Sequence, residues 1–183
     1  MAIVLHNPDL IEVTFDHSNL VADSGLLMMG TLARRLGLPA LVTRWVHTGS
    51  PNPAVKVMTI VMGMIAGATN IDALDRLRSG STRKVLGFHP LAPSTIGTFL
   101  RTFTFGHVRQ LDKVISRVLA NAWAAGAGPR PDEHLVIDLD STVAEVYGKQ
   151  KQSASYGYTK VLGLHPLFAT RAGTGVVMNA RVR

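Results

Sequence analysis

Apolar residues recur at three- and four-residue spacing through much of the first 124 positions, and the pattern shortens toward alternation beyond about 132. Residues 1–22 mix apolar and polar positions without helical period, and Glu12-Val13-Thr14-Phe15 reads as a short strand. Asp23 or Ser24 can cap a helix to about residue 36, where Gly37 stops it. Arg34 and Arg35 fall at its C-terminal end, where cations complement the helix dipole. After the Gly49-Ser50-Pro51-Asn52-Pro53 connector the pattern predicts a buried helix at about 54–67 and another at 71–78 capped by Asn70. A short helix over 82–86, a turn at Gly87-Phe88-His89-Pro90, and helices at about 94–103 and 107–124 follow.

The Ala125-Gly126-Ala127-Gly128-Pro129-Arg130-Pro131 stretch is the clearest boundary. Beyond it, 134–139 reads as a strand, with strand-like runs at about 158–169 and 175–182. The expected class is α+β: a helical domain over 1–126, then a hairpin-rich sheet region over 132–183. The octapeptide beginning Lys84-Val85-Leu86-Gly87 nearly recurs from Lys160-Val161-Leu162-Gly163, but the flanks differ, and one copy reads as helix and the other as strand. That excludes a structural repeat.

Charge adds a partner. Nineteen Lys and Arg against 12 Asp and Glu leave a net charge of +7, which fits a polyanion such as nucleic acid or an anionic membrane surface. Between residues 76 and 130 nine basic residues accompany one acid, Asp112, and from 146 to 183 six basic residues accompany none. One-signed stretches of this kind suit a protein that tracks a phosphate backbone. Scarce aromatics make a duplex a better fit than stacked single strands. The most apolar run, at 57–68, is well short of the ~20 residues of a membrane helix. No signal peptide is evident and cysteine is absent, which excludes disulfides and zinc-thiolate sites and suits the cytoplasm. Within the predicted helices no histidine has a partner acid at i, i+4 spacing, and His89 and His165 precede prolines in turns, where a structural role is expected.

Candidate chemistry concentrates in Leu135-Val136-Ile137-Asp138-Leu139-Asp140-Ser141-Thr142-Val143. Alternation places Asp138 and Asp140 on one face of a strand. A carboxylate buried at the end of an apolar strand needs a cation or hydrogen bonds. Magnesium, which takes one or two carboxylates plus phosphate oxygens, meets that need; so would a turn in which Ser141 and Thr142 bond the aspartate. Arg83 and Lys84, the Gly87 turn, then Ser94, Thr95, Thr98 and Arg101 are compatible with a helix-turn-helix, or equally with a bundle that has a solvated basic face. Lys149, Lys151, Lys160 and Arg171 are candidate phosphate contacts beside the strand.

The strand from Val136 to Val143 resembles the first catalytic strand of insertion-sequence transposases with a ribonuclease-H-like DDE domain. Tyr156-Gly157-Tyr158-Thr159-Lys160-Val161-Leu162-Gly163-Leu164-His165-Pro166-Leu167 and Ala169-Thr170-Arg171 resemble the next strands. Upstream, Ala22-Asp23-Ser24-Gly25-Leu26-Leu27, Leu32-Ala33-Arg34-Arg35-Leu36-Gly37-Leu38 and the segment from Ala92-Pro93-Ser94-Thr95 to Arg101 resemble the thirteen-eighty branch of that family.

The resemblance implies an incomplete ribonuclease-H-like α/β domain after the helices. It implies Asp140 as first catalytic carboxylate and metal ligand, with Asp138 as second choice or as a supporting carboxylate. It implies magnesium (or manganese) ions that activate water or a DNA 3′-hydroxyl and stabilise the leaving oxygen. It also implies double-stranded terminal inverted repeats as partner, a homodimer in the transposition complex, and a nucleoid-associated cytoplasmic location. After Asp140 the only acid is Glu145, so the remaining catalytic acids are expected outside this chain, which alone should not cleave DNA. The rival reading is a haloacid-dehalogenase-type phosphatase, with Asp138 as nucleophile and Asp140 as acid/base. It conflicts with the basic helical region in front of the motif and the basic, hairpin-like run behind it. A third reading is a non-catalytic DNA-binding remnant.

Overall fold

The computed structural model describes residue 17 and residues 20–130, 132–147 and 153–182. The strand expected at 12–15 lies outside them. The order of elements is α+β, helices first and antiparallel strands after. The chain divides into two compact units, Met1–Thr104 and Phe105–Arg183. This division falls ahead of the Gly/Pro connector at 125–131, so the longest helix is grouped with the strands.

The first unit contains α1 (Leu26–Arg35), α2 (Leu38–Trp45), α3 (Pro53–Ile65), a 3-10 helix (Asp72–Arg78), α4 (Thr82–Leu86) and α5 (Pro93–Arg101). Its core joins Leu26 of α1, Met58 and Met62 of α3, Leu77 of the 3-10 helix and Leu86 of α4, with Met29, Ala33 and Phe88 packed around them. The apolar run is therefore a core helix. α3 and the 3-10 helix approach so closely that a Cβ on Gly63 would overlap the buried side chain of Leu74.

Three local features depart from the sequence pattern. Asp23 does not cap α1, and Gly25 holds the N-cap position without a side-chain bond. The Asp23 carboxylate instead accepts from Arg76 at 2.9 and 3.3 Å, a charge-assisted pairing stronger than a neutral cap. Gly37, at φ 80°, not only ends α1 but opens α2, whose Pro39 fits a first turn. The segment at 72–78 winds as a 3-10 helix, although Asn70 does accept the Ala73 N–H at 2.8 Å as a cap should.

The second unit opens with α6 (Phe105–Ala122), which runs into a π turn (Trp123–Ala127) broken by Gly126 at φ 99°. Among the described residues six strands follow: β1 (Ile137–Ser141), β2 (Ala144–Glu145), β3 (Ser155–Tyr156), β4 (Leu162–Leu164), β5 (Pro166–Arg171) and β6 (Val176–Val182). They form two antiparallel sheets, ordered β1-β5-β6 and β2-β4-β3. The run at 158–169 is split: a turn ending at Lys160 precedes β4, and at His165-Pro166 the chain passes from one sheet to the other. β1 starts at Ile137, later than the apolar run, because its partner β5 ends opposite it at Arg171. α6 packs against β6, and Arg181 of β6 reaches Asp112 of α6 at 2.8 Å. The near-repeat is helical in one copy and extended in the other, as the flanks require.

Candidate catalytic strand and nucleic-acid interface

Asp138 faces Thr170 and Asp140 faces Phe168 in the β1–β5 register. Hydrogen bonds from Ala172 N–H to the Val136 carbonyl (3.0 Å) and from Thr142 N–H to the Pro166 carbonyl (3.2 Å) fix the phase of that ladder. In an antiparallel pair every second residue exchanges backbone bonds with its partner. Asp138 and Asp140 therefore turn their backbone groups toward β5, while those of Ile137, Leu139 and Ser141 point to the other side. β1 has one strand neighbour among the described residues, so this other side is a sheet edge. Asp140 covers part of it, its Oδ1 accepting the Ser141 N–H at 2.7 Å.

β1 is exposed along its whole length. The burial that would demand a cation for these carboxylates is thus absent, and the turn-type bond to Ser141 satisfies one oxygen of Asp140. What remains for a metal is the donor set itself: two hard carboxylates two residues apart, on one face of a strand whose backbone β5 fixes. That suits an oxygen-seeking divalent ion that also takes phosphate oxygens. Among the described residues no three acidic or histidine side chains converge on a metal position.

The expected DNA contacts separate into three groups. Ser94, Thr95, Thr98 and Arg101 share the exposed face of α5, while Ile96, Gly97 and Phe99 are buried on the other. Thr98 Oγ1 donates to the Ser94 carbonyl (3.1 Å), and Arg101 donates to Thr98 (3.4 Å). Arg83 and Lys84 are exposed on α4, which packs on α1 and the 3-10 helix; α5 packs on the 3-10 helix and α3. Lys160 is exposed at φ 57°.

Arg171 is different. Its side chain is 8% exposed and its guanidinium is held by Glu133 at 2.5 Å, so it serves the interior of the second unit and is not displayed to a phosphate. Lys149 and Lys151 lie outside the described residues. The sequence pattern does not single out Arg78, and it assigns His89 only a structural role. With Arg83 they line a cleft of about 260 Å³ that Pro90 completes. The only hint was three basic residues at 76, 78 and 83 with a histidine shortly after. The ring of His165 contacts the Ser155 carbonyl at 3.2 Å.

A family model described as transposase DDE domain group 1 matches residues 5–183. This chain belongs to that family. No curated protein and no solved structure matches it. The chain is thus an insertion-sequence DDE transposase by family, a class of DNA-binding, DNA-cutting enzymes that use divalent metal ions. The transposase assignment agrees with the antiparallel hairpins that follow Asp138, where the phosphatase reading called for helices and further acids. Among the described residues no single helix of the transposase is long and apolar enough to cross a membrane.

Proposed function

We infer that this chain binds the terminal inverted repeats of an insertion sequence of the thirteen-eighty branch and supplies the first catalytic carboxylate for strand cleavage and transfer. Asp140 is the proposed metal ligand and Asp138 its second or supporting carboxylate. The observation that carries the reading is the family match across the strand on which both aspartates share one face. Magnesium or manganese held there would polarise a phosphodiester and activate the attacking oxygen. The part of this chain is to hold two carboxylates in fixed register beside a duplex. Two carboxylates are fewer than the three the reaction requires, so catalysis depends on acids beyond those on β1. Ser94, Thr95, Thr98 and Arg101 on α5, Arg83 and Lys84 on α4, and Lys149, Lys151 and Lys160 are the proposed DNA contacts. A homodimer in the transposition complex, at the nucleoid in the cytoplasm, is part of the same reading.

Manganese titration followed by NMR tests the metal site. Paramagnetic broadening should centre on the amides of Asp138–Ser141 and vanish in Asp140→Asn. Broadening that ignores this substitution would remove Asp140 from the site. Fluorescence anisotropy with a labelled duplex, titrated with salt, tests DNA binding: log affinity should fall linearly with log salt. A salt-insensitive or absent signal would end the DNA-binding reading.

A further inference from the structure

Two small clefts adjoin the Gly87–Pro90 turn. One, of about 260 Å³, is lined by Arg78, Arg83, His89 and Pro90. The other, of about 350 Å³, is lined by Arg83, Lys84, Gly87, Phe88 and His89. Arg83 and His89 belong to both walls and so stand between the two hollows. Among the described residues no acid lines either cleft. Arg78 Nη1 donates to Asp75 at 2.5 Å, which leaves the other guanidinium nitrogens of Arg78 for a ligand. Organic ligands favour larger, mostly apolar pockets with a few polar groups. A hollow this small, walled by two guanidiniums and an imidazole, suits a compact anion.

The turn that carries His89 is fixed from both sides. Before it, Arg34 of α1 donates to the Leu86 carbonyl at 2.9 Å. After it, the Leu91 N–H donates to the hydroxyl of Thr59, which is fully buried in α3 and itself bonds the Val55 carbonyl at 2.8 Å. Phe88 packs against the core, and Gly87 takes φ 70°, which lets the chain reverse directly after α4. A fixed backbone leaves only the side chains to be ordered when they close on a ligand, which lowers the cost of binding.

We propose that Arg78, Arg83 and His89 form a clamp for a single phosphate group. Arginine provides a planar fork that matches phosphate oxygens, and the imidazole adds a third donor. The same chemistry could come from the backbone of a duplex or from a free phosphate. The duplex source rests on the DNA-binding reading above, to which the clamp would add a backbone contact distinct from the α5 face.

The test uses the purified 183-residue chain and the variants Arg83→Ala, His89→Ala and Arg101→Ala, with circular dichroism to confirm the fold. Inorganic phosphate is titrated while the His89 side-chain resonances are followed by NMR. Labelled duplex is titrated in parallel across salt concentrations. Phosphate should shift His89 in the parent chain and in Arg101→Ala, but not in Arg83→Ala. A backbone source predicts that Arg83→Ala and His89→Ala each weaken duplex binding, Arg83→Ala by about tenfold and with a salt slope lower by about one. A phosphate shift with unchanged duplex affinity supports the clamp and assigns it to a free phosphate. If the parent chain binds no duplex, the DNA reading fails while the phosphate titration still judges the clamp. An unshifted His89 together with unchanged duplex binding overturns it.

Discussion

Arg171 and Glu133 form an ion pair at 2.5 Å that ties the segment entering β1 to the end of β5. Arg171 sits opposite Ile137, the first residue of β1, and Glu133 lies four residues upstream of Ile137. The Glu133 carboxylate also accepts the Arg130 N–H at 3.2 Å. The pair therefore holds the connector where the strand of the two aspartates begins.

That pairing makes the second unit acid-sensitive. The hydrogen bond from Arg171, then the one from Arg130, hold the Glu133 carboxyl below its ordinary value. A depressed folded-state pKa stabilises fully above the unfolded glutamate value of about 4.3, and the contribution is lost as pH falls through the lower folded value. Glu133→Gln should melt below the parent protein at pH 7, and the gap should close as pH drops below about 4. Thermal melts across pH 7 to 3 check this; a gap that stays constant would mean the carboxylate charge plays no part.

Lys56 is a buried cation without a carboxylate partner among the described residues. It is 4% exposed, donates to Ser50 Oγ and the Pro51 carbonyl at 2.5 Å each, and lies 5.3 Å from the Phe99 ring centre. Lys56→Met keeps the apolar stem but leaves the connector carbonyl without its donor. A loss of about 1–3 kcal/mol in urea unfolding is expected; an unchanged midpoint would show that water replaces the ammonium at no cost.

Gly63 and Gly25 offer a matched pair. A methyl group at 63 runs into Leu74, whereas one at 25 meets nothing within 4 Å. Gly63→Ala should destabilise by about 1–3 kcal/mol as an overpacked core does. Gly25→Ala, in right-handed helical backbone at φ −58°, should be neutral or stabilise by up to about 1 kcal/mol. Equal effects at the two sites would contradict the packing of α3 against the 3-10 helix.

Lys160 separates stability from binding. It holds a left-handed conformation at φ 57° that glycine adopts more readily. Lys160→Gly should leave the melting temperature unchanged or raised, while lowering duplex affinity through loss of one phosphate contact. If affinity is untouched, Lys160 is only a turn residue.

Most helices were legible because their apolar faces repeat at a helical period and glycine or proline marks their ends. α2 was hidden because Gly37 reads as a stop, and nothing local reveals that the same left-handed residue also begins a helix. The late start of β1 was illegible because the limit is set by Arg171 of β5, a partner 34 residues away. Arg171 was misjudged for the same reason: a lone arginine in an acid-free stretch looks displayed, and its acid lies 38 residues upstream. The two aspartates were legible as strand neighbours sharing a face. Their exposure was not, since an apolar run predicts burial only when another layer covers it.

The two near-identical octapeptides place a glycine at 87 and at 163 for unrelated reasons. At 87 an added methyl would meet Arg34 at an ordinary 3.5 Å, so the obstacle is the sign of the torsion. At 163 the backbone is an ordinary strand, and the obstacle is Val143 Cγ1 at 2.8 Å and the Ala144 carbonyl oxygen at 3.0 Å. A mirror-image alanine, introduced by chemical synthesis, would therefore suit position 87 and be foreign to position 163. Chirality distinguishes two sites that the genetic alphabet writes with the same letter.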